Sequence, residues 1–271
     1  MTQAQAPAGY FCSGMPYNRL GHGPRPLLII QGLLFENKPQ SSLATAMYRF
    51  LGHRYTVYSV MRKPRMPRGY TFQDMADDYA TLVQEEFGGP VDVLGISTGG
   101  SLAQQFAADH PELVGRLVIH SSAYTFSADA RALQLEVGRL AEQRGWRQAW
   151  AALLGYTLPP GPLNQPLTWL ASHLMSLDPP DDPSDLIITI EAEDQFNFKD
   201  RLAQIAAPTL LAAGERDPFY SPALFRETTA GIPNARLCLY QGMGHPAGGK
   251  RFRQDVLAFL RGDAVGQRVH V

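Results

Sequence analysis

The sequence predicts an α/β fold, with a mostly parallel central sheet flanked by helices and an all-helical insertion between two of the strands. Two observations carry this. Short apolar runs alternate with helical patterns, as parallel strands joined by crossover helices require. Between about residues 127 and 197 the alternation stops, and helical patterns alone remain.

In chain order the predicted strands are residues 26–30, 55–60, 91–95, 117–120, 208–213 and 235–240. Most are continuously apolar, the pattern of strands buried on both faces. Helices are predicted at 41–51, 71–87, from 98 to a stop before Pro111, and at 250–261 ahead of Gly262. Thr71 and Asp74 have the spacing of a capping box, in which hydroxyl and carboxylate each satisfy the other residue's backbone N–H. Inside the insertion, 128–144, 146–154, 167–177 and 185–197 read as helices, separated by proline-rich connectors at 156–166 and 178–183. The expected domains are a core of residues 1–126 and 198–271 and a cap or lid of residues 127–197.

Composition narrows the classes of function. The 271 residues, 45% hydrophobic and 18% charged, supply an ordinary core without staples. A formal net charge of −1 gives no global attraction to nucleic acid or an anionic membrane, so neither partner is expected. The basic run Arg62, Lys63, Arg65 and Arg68, broken by Pro64 and Pro67, reads as a solvated loop. Cys12 and Cys238 sit in no CxxC and near no histidine pair at ligand spacing, so a metal or redox site is not expected and two idle thiols are. Residues 1–10 lack a basic start followed by an apolar run, and no apolar stretch approaches a membrane span. A cytoplasmic protein is the expectation.

The chemistry is concentrated where the 91–95 strand runs into Gly95-Ile96-Ser97-Thr98-Gly99-Gly100 and then a helical pattern. A sharp strand-to-helix turn of this kind lifts the central serine above the sheet and sets it at a helix N-terminus, where anionic charge is favoured. Small residues at 95 and 99 permit the turn. Outside that context the same five residues are only a Gly-rich turn. A serine hydroxyl needs a base, and the base an orienting acid. With a nucleophile elbow the chain order is serine, acid, histidine. Asp217 follows the 208–213 strand, and His245 sits in the Gly-rich loop after the 235–240 strand.

The competing residues are weaker candidates. His120 ends a strand on the same side as Ser97 but precedes the acid, so a core or pocket-lining role is expected for it. Glu215 lies two residues nearer its strand than Asp217 and reads as a surface carboxylate. An oxyanion hole needs two backbone donors. Thr98, after the nucleophile, is one candidate, and Leu33, in the Gln31-Gly32-Leu33-Leu34 loop, is the other.

Taken together, Gly95–Gly100, Gly214–Pro218 and Gly244-His245 resemble the α/β-hydrolase superfamily, in particular its small soluble members with a helical cap. The resemblance runs from about Arg19 to Leu260 and includes the stretch Phe198-Lys199-Asp200-Arg201-Leu202 that leads to the acid. It implies the α/β-hydrolase fold and a serine hydrolase acting through an acyl-enzyme on a carboxylic ester, lactone or thioester, without metal or organic cofactor. Ser97 in the nucleophile position disfavours the aspartate chemistry of dehalogenases and epoxide hydrolases in that superfamily. Many of its members have His-Gly where this chain has Gln31-Gly32, which bears on loop geometry and substrate choice.

Carbon–carbon bond hydrolysis and acyl transfer use the same triad and stay open, as does a slow-turnover small-molecule receptor. The expected partner is a small molecule bearing an acyl group, and the oligomeric state is open. Trp146, Trp150, Leu153, Leu154, Trp169, Leu170 and Met175 of the insertion supply apolar surface. The expected pocket residues are Gln31, Leu34, His120, Trp146, Trp150, Trp169 and Met243.

Overall fold

The computed structural model describes residues 7–40, 45–263 and 268–270. Its strands form one nine-stranded sheet in the order β1-β2-β4-β3-β5-β6-β7-β8-β9. They are β1 (Ala8–Tyr10), β2 (Pro16–Leu20), β3 (Arg25–Ile30), β4 (Tyr55–Val60), β5 (Val91–Ile96), β6 (Val114–His120), β7 (Thr209–Gly214), β8 (Ala235–Tyr240) and β9 (Arg268–His270). From β4 through β9 neighbouring strands are parallel. The antiparallel pairs are β1 with β2 and β2 with β4, toward one edge of the sheet.

The six expected strands are present, each within a few residues of its predicted bounds. Three further strands lie outside these six: β1 and β2 beyond β4, and β9 beyond β8. The β2 sequence Pro-Tyr-Asn-Arg-Leu is too polar to announce itself, and short edge strands carry little of the two-faced apolar signal.

Side-chain alternation along the strands divides the core. Leu28 and Ile30 of β3 face one cluster, formed with α1 (Phe72–Phe87), α2 (Thr98–Asp109) and α7 (Pro222–Gly231). Leu27 and Ile29 face the other, against α8 (Gly249–Arg261) and the 3-10 turn at Ala46–Leu51. The α1 start is the expected capping box: the Asp74 N–H donates to Thr71 Oγ1 at 3.2 Å, and the Thr71 N–H to Asp74 Oδ2 at 2.8 Å. The helix expected at 41–51 is a 3-10 turn over its described part, while residues 41–44 lie outside the described residues.

Between the adjacent strands β6 and β7 the chain forms four helices, α3 (Ala128–Glu142), α4 (Trp146–Thr157), α5 (Asn164–Met175) and α6 (Ser184–Asp194). α5 begins within the stretch expected as a connector. A separate cluster of Val137, Ala141, Trp146, Ala149, Leu186 and Ile190 joins α3, α4 and α6 to Phe35 of the loop after β3. No helix among the described residues is long and apolar enough to cross a membrane.

Candidate active site

The parallel strands deliver three loops to one edge of the sheet. β5 ends at Ile96, and Ser97 has φ 54° and ψ −127° immediately before α2. This left-handed conformation is strained for a residue with a Cβ, and the surroundings hold it in place. The Ser97 N–H donates to the His120 carbonyl at 3.0 Å, and the Ser97 carbonyl accepts from Gly100 N–H at 2.6 Å. A Cβ on Gly99 would overlap the Ile30 and Gln31 carbonyls, and one on Gly95 would overlap the Gly99 carbonyl. The turn therefore needs both glycines.

Asp217 follows β7, and His245 follows β8. Asp217 Oδ1 accepts from the backbone N–H groups of Phe219 and Tyr220 at 2.9 and 3.3 Å, leaving Oδ2 to accept from His245 Nδ1 at 2.7 Å. An ionised carboxylate only accepts, so Nδ1 carries the proton and Nε2 faces outward as an acceptor. Nε2 lies 3.0 Å from Ser97 Oγ. The Asp217 side chain is fully buried and that of His245 is 8% exposed. Phe219 and Tyr220 pack on the imidazole, with ring centroids 4.7 and 6.1 Å away. Glu215, by contrast, is exposed.

A cavity of about 190 Å³ opens onto this constellation. Gln31, Gly32, Leu33, Leu34 and Thr98 line it, together with Ile96, Gln134, Leu153, Thr157, Phe219 and Pro246. Thr98 occupies the first position of α2, where a backbone N–H has no partner within the helix. Gly32 is the close neighbour of Ser97, since a Cβ there would come within 3.4 Å of the serine Cβ.

Five expected pocket residues lie elsewhere. His120 is buried and does not line the cavity. Its Nε2 donates to the Ala247 carbonyl at 2.7 Å, its Nδ1 accepts from Tyr48 Oη at 2.8 Å, and its ring stacks on Phe252. Burial pushes its pKa down to about 3, so it is a neutral structural tie between β6 and the His245 loop. Trp146 and Trp150 are drawn away by Phe35, on which Trp150 stacks at 3.7 Å. Trp169 is 60% exposed on α5. Met243 packs with the cluster beneath α8, its methyl end toward Gly249. Cys12 is at the surface and Cys238 is buried in β8.

Two buried ionisable side chains stand behind the cavity. Arg62, expected in a solvated loop, is 1% exposed and donates to the Gln31 and Gly32 carbonyls at 3.0 and 2.9 Å. Glu193 of α6 is buried and accepts from Ser101 Oγ and Gln134 Nε2, both at 3.1 Å. Burial raises its pKa above the ordinary glutamate value, against the opposing effect of these hydrogen bonds and the Arg62 charge.

Residues 61–249 match the family model described as alpha/beta hydrolase fold. Among curated proteins, the proposed carbamate hydrolase RutD of Klebsiella pneumoniae (strain 342) is 27% identical over 188 residues, covering 66% of this chain and 68% of that one. Among solved structures, a hydrolase from Pseudomonas aeruginosa superposes with a TM-score of 0.77 at 21% identity, over 93% of this chain and 97% of the other. The enol-lactonase of Burkholderia xenovorans LB400 superposes with a TM-score of 0.75 at 18% identity, over 92% and 97%. At these identities the superpositions establish the fold.

Proposed function

Because the chain belongs to the α/β hydrolase fold family, we propose that it is a serine hydrolase cleaving a carboxylic ester, or a related lactone or thioester, through an acyl-enzyme. One observation carries this reading: a continuous hydrogen-bonded path from Asp217 Oδ2 through the imidazole of His245 to Ser97 Oγ, with links of 2.7 and 3.0 Å. In the proposed reaction His245 Nε2 takes the Ser97 proton as Oγ attacks the acyl carbonyl, and Asp217 stabilises the imidazolium that forms. The backbone N–H groups of Thr98 and Leu33 hold the oxyanion. His245 then passes the proton to the leaving group and activates the water that releases the acid. Neither a metal nor an organic cofactor has a part in these steps.

In the same reading residues 127–197 act as a cap, because Gln134, Leu153 and Thr157 reach the cavity from α3 and α4. The small cavity volume suits a short acyl group. A mostly apolar wall with few polar groups fits a small neutral ester better than a charged one. The relatives' carbamate hydrolase and enol-lactonase designations are compatible with attack on an acyl carbonyl.

The test is covalent labelling with a fluorophosphonate, read by peptide mass spectrometry. A single adduct on Ser97, lost in Ser97→Ala, is expected; labelling elsewhere with Ser97 untouched would refute the assignment. A panel of p-nitrophenyl esters of graded acyl length, with lactones and thioesters alongside, then defines the bond cleaved.

A further inference from the structure

The guanidinium of Arg62 holds two consecutive carbonyls of the loop after β3, Nη1 to Gln31 O at 3.0 Å and Nη2 to Gly32 O at 2.9 Å. Such a fork fixes two peptide planes at once. A trans peptide carries its C=O and N–H in opposite directions. The Gly32 carbonyl and the Leu33 N–H belong to the same peptide, so holding that carbonyl against Arg62 turns the Leu33 N–H to the other side. Gly32 and Leu33 both line the cavity, and Ser97 lies beside Gly32.

We propose that Arg62 is a positioning residue for the oxyanion hole, orienting and polarising the Gly32–Leu33 peptide so that Leu33 N–H is a preorganised donor to the tetrahedral intermediate. The inference rests on the serine-hydrolase reading and deepens it. A charge-assisted hydrogen bond to a peptide oxygen draws electron density from its N–H, which strengthens that donor in a dry surrounding. Arg62 is 1% exposed, so water does not compete for its N–H groups. Gln31 Nε2 also donates to Ser59 Oγ at the end of β4, which pins the loop from its other side.

The first measurement uses the wild-type protein, labelled with 15N and treated with an alkylboronic acid. Ser97 Oγ adds to boron while His245 takes its proton, and a boronate oxygen occupies the oxyanion position. The expected result is a downfield move of the Leu33 amide proton accompanied by a change in the Arg62 guanidinium resonances. An adduct on Ser97 that leaves both unmoved overturns the inference alone. Absence of any Ser97 adduct overturns the serine reading and this inference with it.

The second measurement compares Arg62→Lys and Arg62→Met, with active sites counted by fluorophosphonate titration. Loss of one full oxyanion donor costs about 100- to 1000-fold in kcat, so weakening one should cost ~10- to 100-fold in Arg62→Met. KM should stay within about twofold, because the donor acts on the transition state rather than the ground state. Boronate affinity should fall in parallel with kcat, and Arg62→Lys should lie between. Full kcat per titrated site in Arg62→Met, with only a lowered Tm, would mean a structural role and overturn the inference. If Arg62→Met does not fold, the wild-type spectra decide.

Discussion

Ser101 Oγ, one helical turn beyond Ser97, donates to the buried carboxylate of Glu193 at 3.1 Å. The helix that starts at the candidate nucleophile is thereby tied to α6, and through Gln134 the same carboxylate is tied to α3 and the cavity wall. Burial raises the folded-state pKa of Glu193 above its unfolded value. The favourable contribution of the protonated form is therefore complete below the unfolded pKa and declines as pH rises toward the folded one. Glu193→Gln keeps a partner for Ser101 and Gln134 and does not titrate. Urea unfolding should show the variant gaining on wild type as pH rises above the ordinary glutamate range, by at most about 1.4 kcal/mol per pH unit. A gap moving the other way would mean that the folded protein favours the ionised form. Glu193→Leu leaves two buried polar partners unsatisfied and should cost about 1–3 kcal/mol for each.

Asp217 divides its carboxylate between two sets of partners. Oδ1 serves the Phe219 and Tyr220 N–H groups, and Oδ2 serves His245. In Asp217→Asn the amide oxygen can keep the backbone bonds, while the NH2 group faces Nδ1 and favours the wrong imidazole tautomer. Tm should change little, and kcat should fall by roughly 10⁴-fold, the scale seen when a triad acid is neutralised. Ser97→Ala and His245→Ala should lose at least about 1000-fold. Substantial kcat in Asp217→Asn would show that another group orients the base.

His120 gives a pH dependence of opposite sign to Glu193. Its pKa is about 3 in the folded protein, because burial penalises the imidazolium. An unfolded histidine protonates near pH 6.5, so the unfolded state takes up the proton first as pH falls. The stability contributed by the neutral ring is thus complete above about pH 6.5 and is lost progressively toward pH 3, reaching a few kcal/mol. His120→Gln should be less stable than wild type at pH 7, having lost the Tyr48–His120–Ala247 tie. Its urea midpoint should nevertheless fall less steeply between pH 6.5 and pH 4.5. Parallel midpoints over that range would place the titration elsewhere.

What the sequence made legible follows from where each signal is local. The parallel strands announce themselves because burial on both faces demands unbroken apolar runs, and the Ser97 turn because Gly95 and Gly99 have no steric alternative. Asp217 and His245 were expected from chain order after strands, and the structure brings both to Ser97. The pocket was less legible, since an exposed and a buried tryptophan look the same in a helical pattern. Trp146 and Trp150 went to Phe35, more than 100 residues away in sequence, while Leu153 on the same helix reached the cavity. Arg62 is hidden from the sequence for a related reason. Its neighbours Lys63 and Arg65 suggest solvent, and the partners that bury it, the Gln31 and Gly32 carbonyls, carry no side-chain signal. An arginine two residues past a buried strand was the available clue.

Leu153 offers a test of how the α4 wall sets substrate size. It lines the cavity beside Thr157 and is partly buried, whereas Trp169 stands 60% exposed on α5 outside that lining. With a cavity of about 190 Å³, wild type should prefer short acyl esters and discriminate against longer ones. Leu153→Ala removes carbons from the cavity wall, and each methylene newly accommodated should be worth about 1–3 kcal/mol of transition-state binding. The ratio of kcat/KM for hexanoate over acetate should therefore rise about tenfold or more in Leu153→Ala. Trp169→Gln should leave both values within about twofold of wild type, since a surface side chain away from the cavity alters neither binding nor chemistry. An unchanged chain-length profile in Leu153→Ala, or a profile that shifts in Trp169→Gln instead, would place the acyl group along a different wall of the insertion.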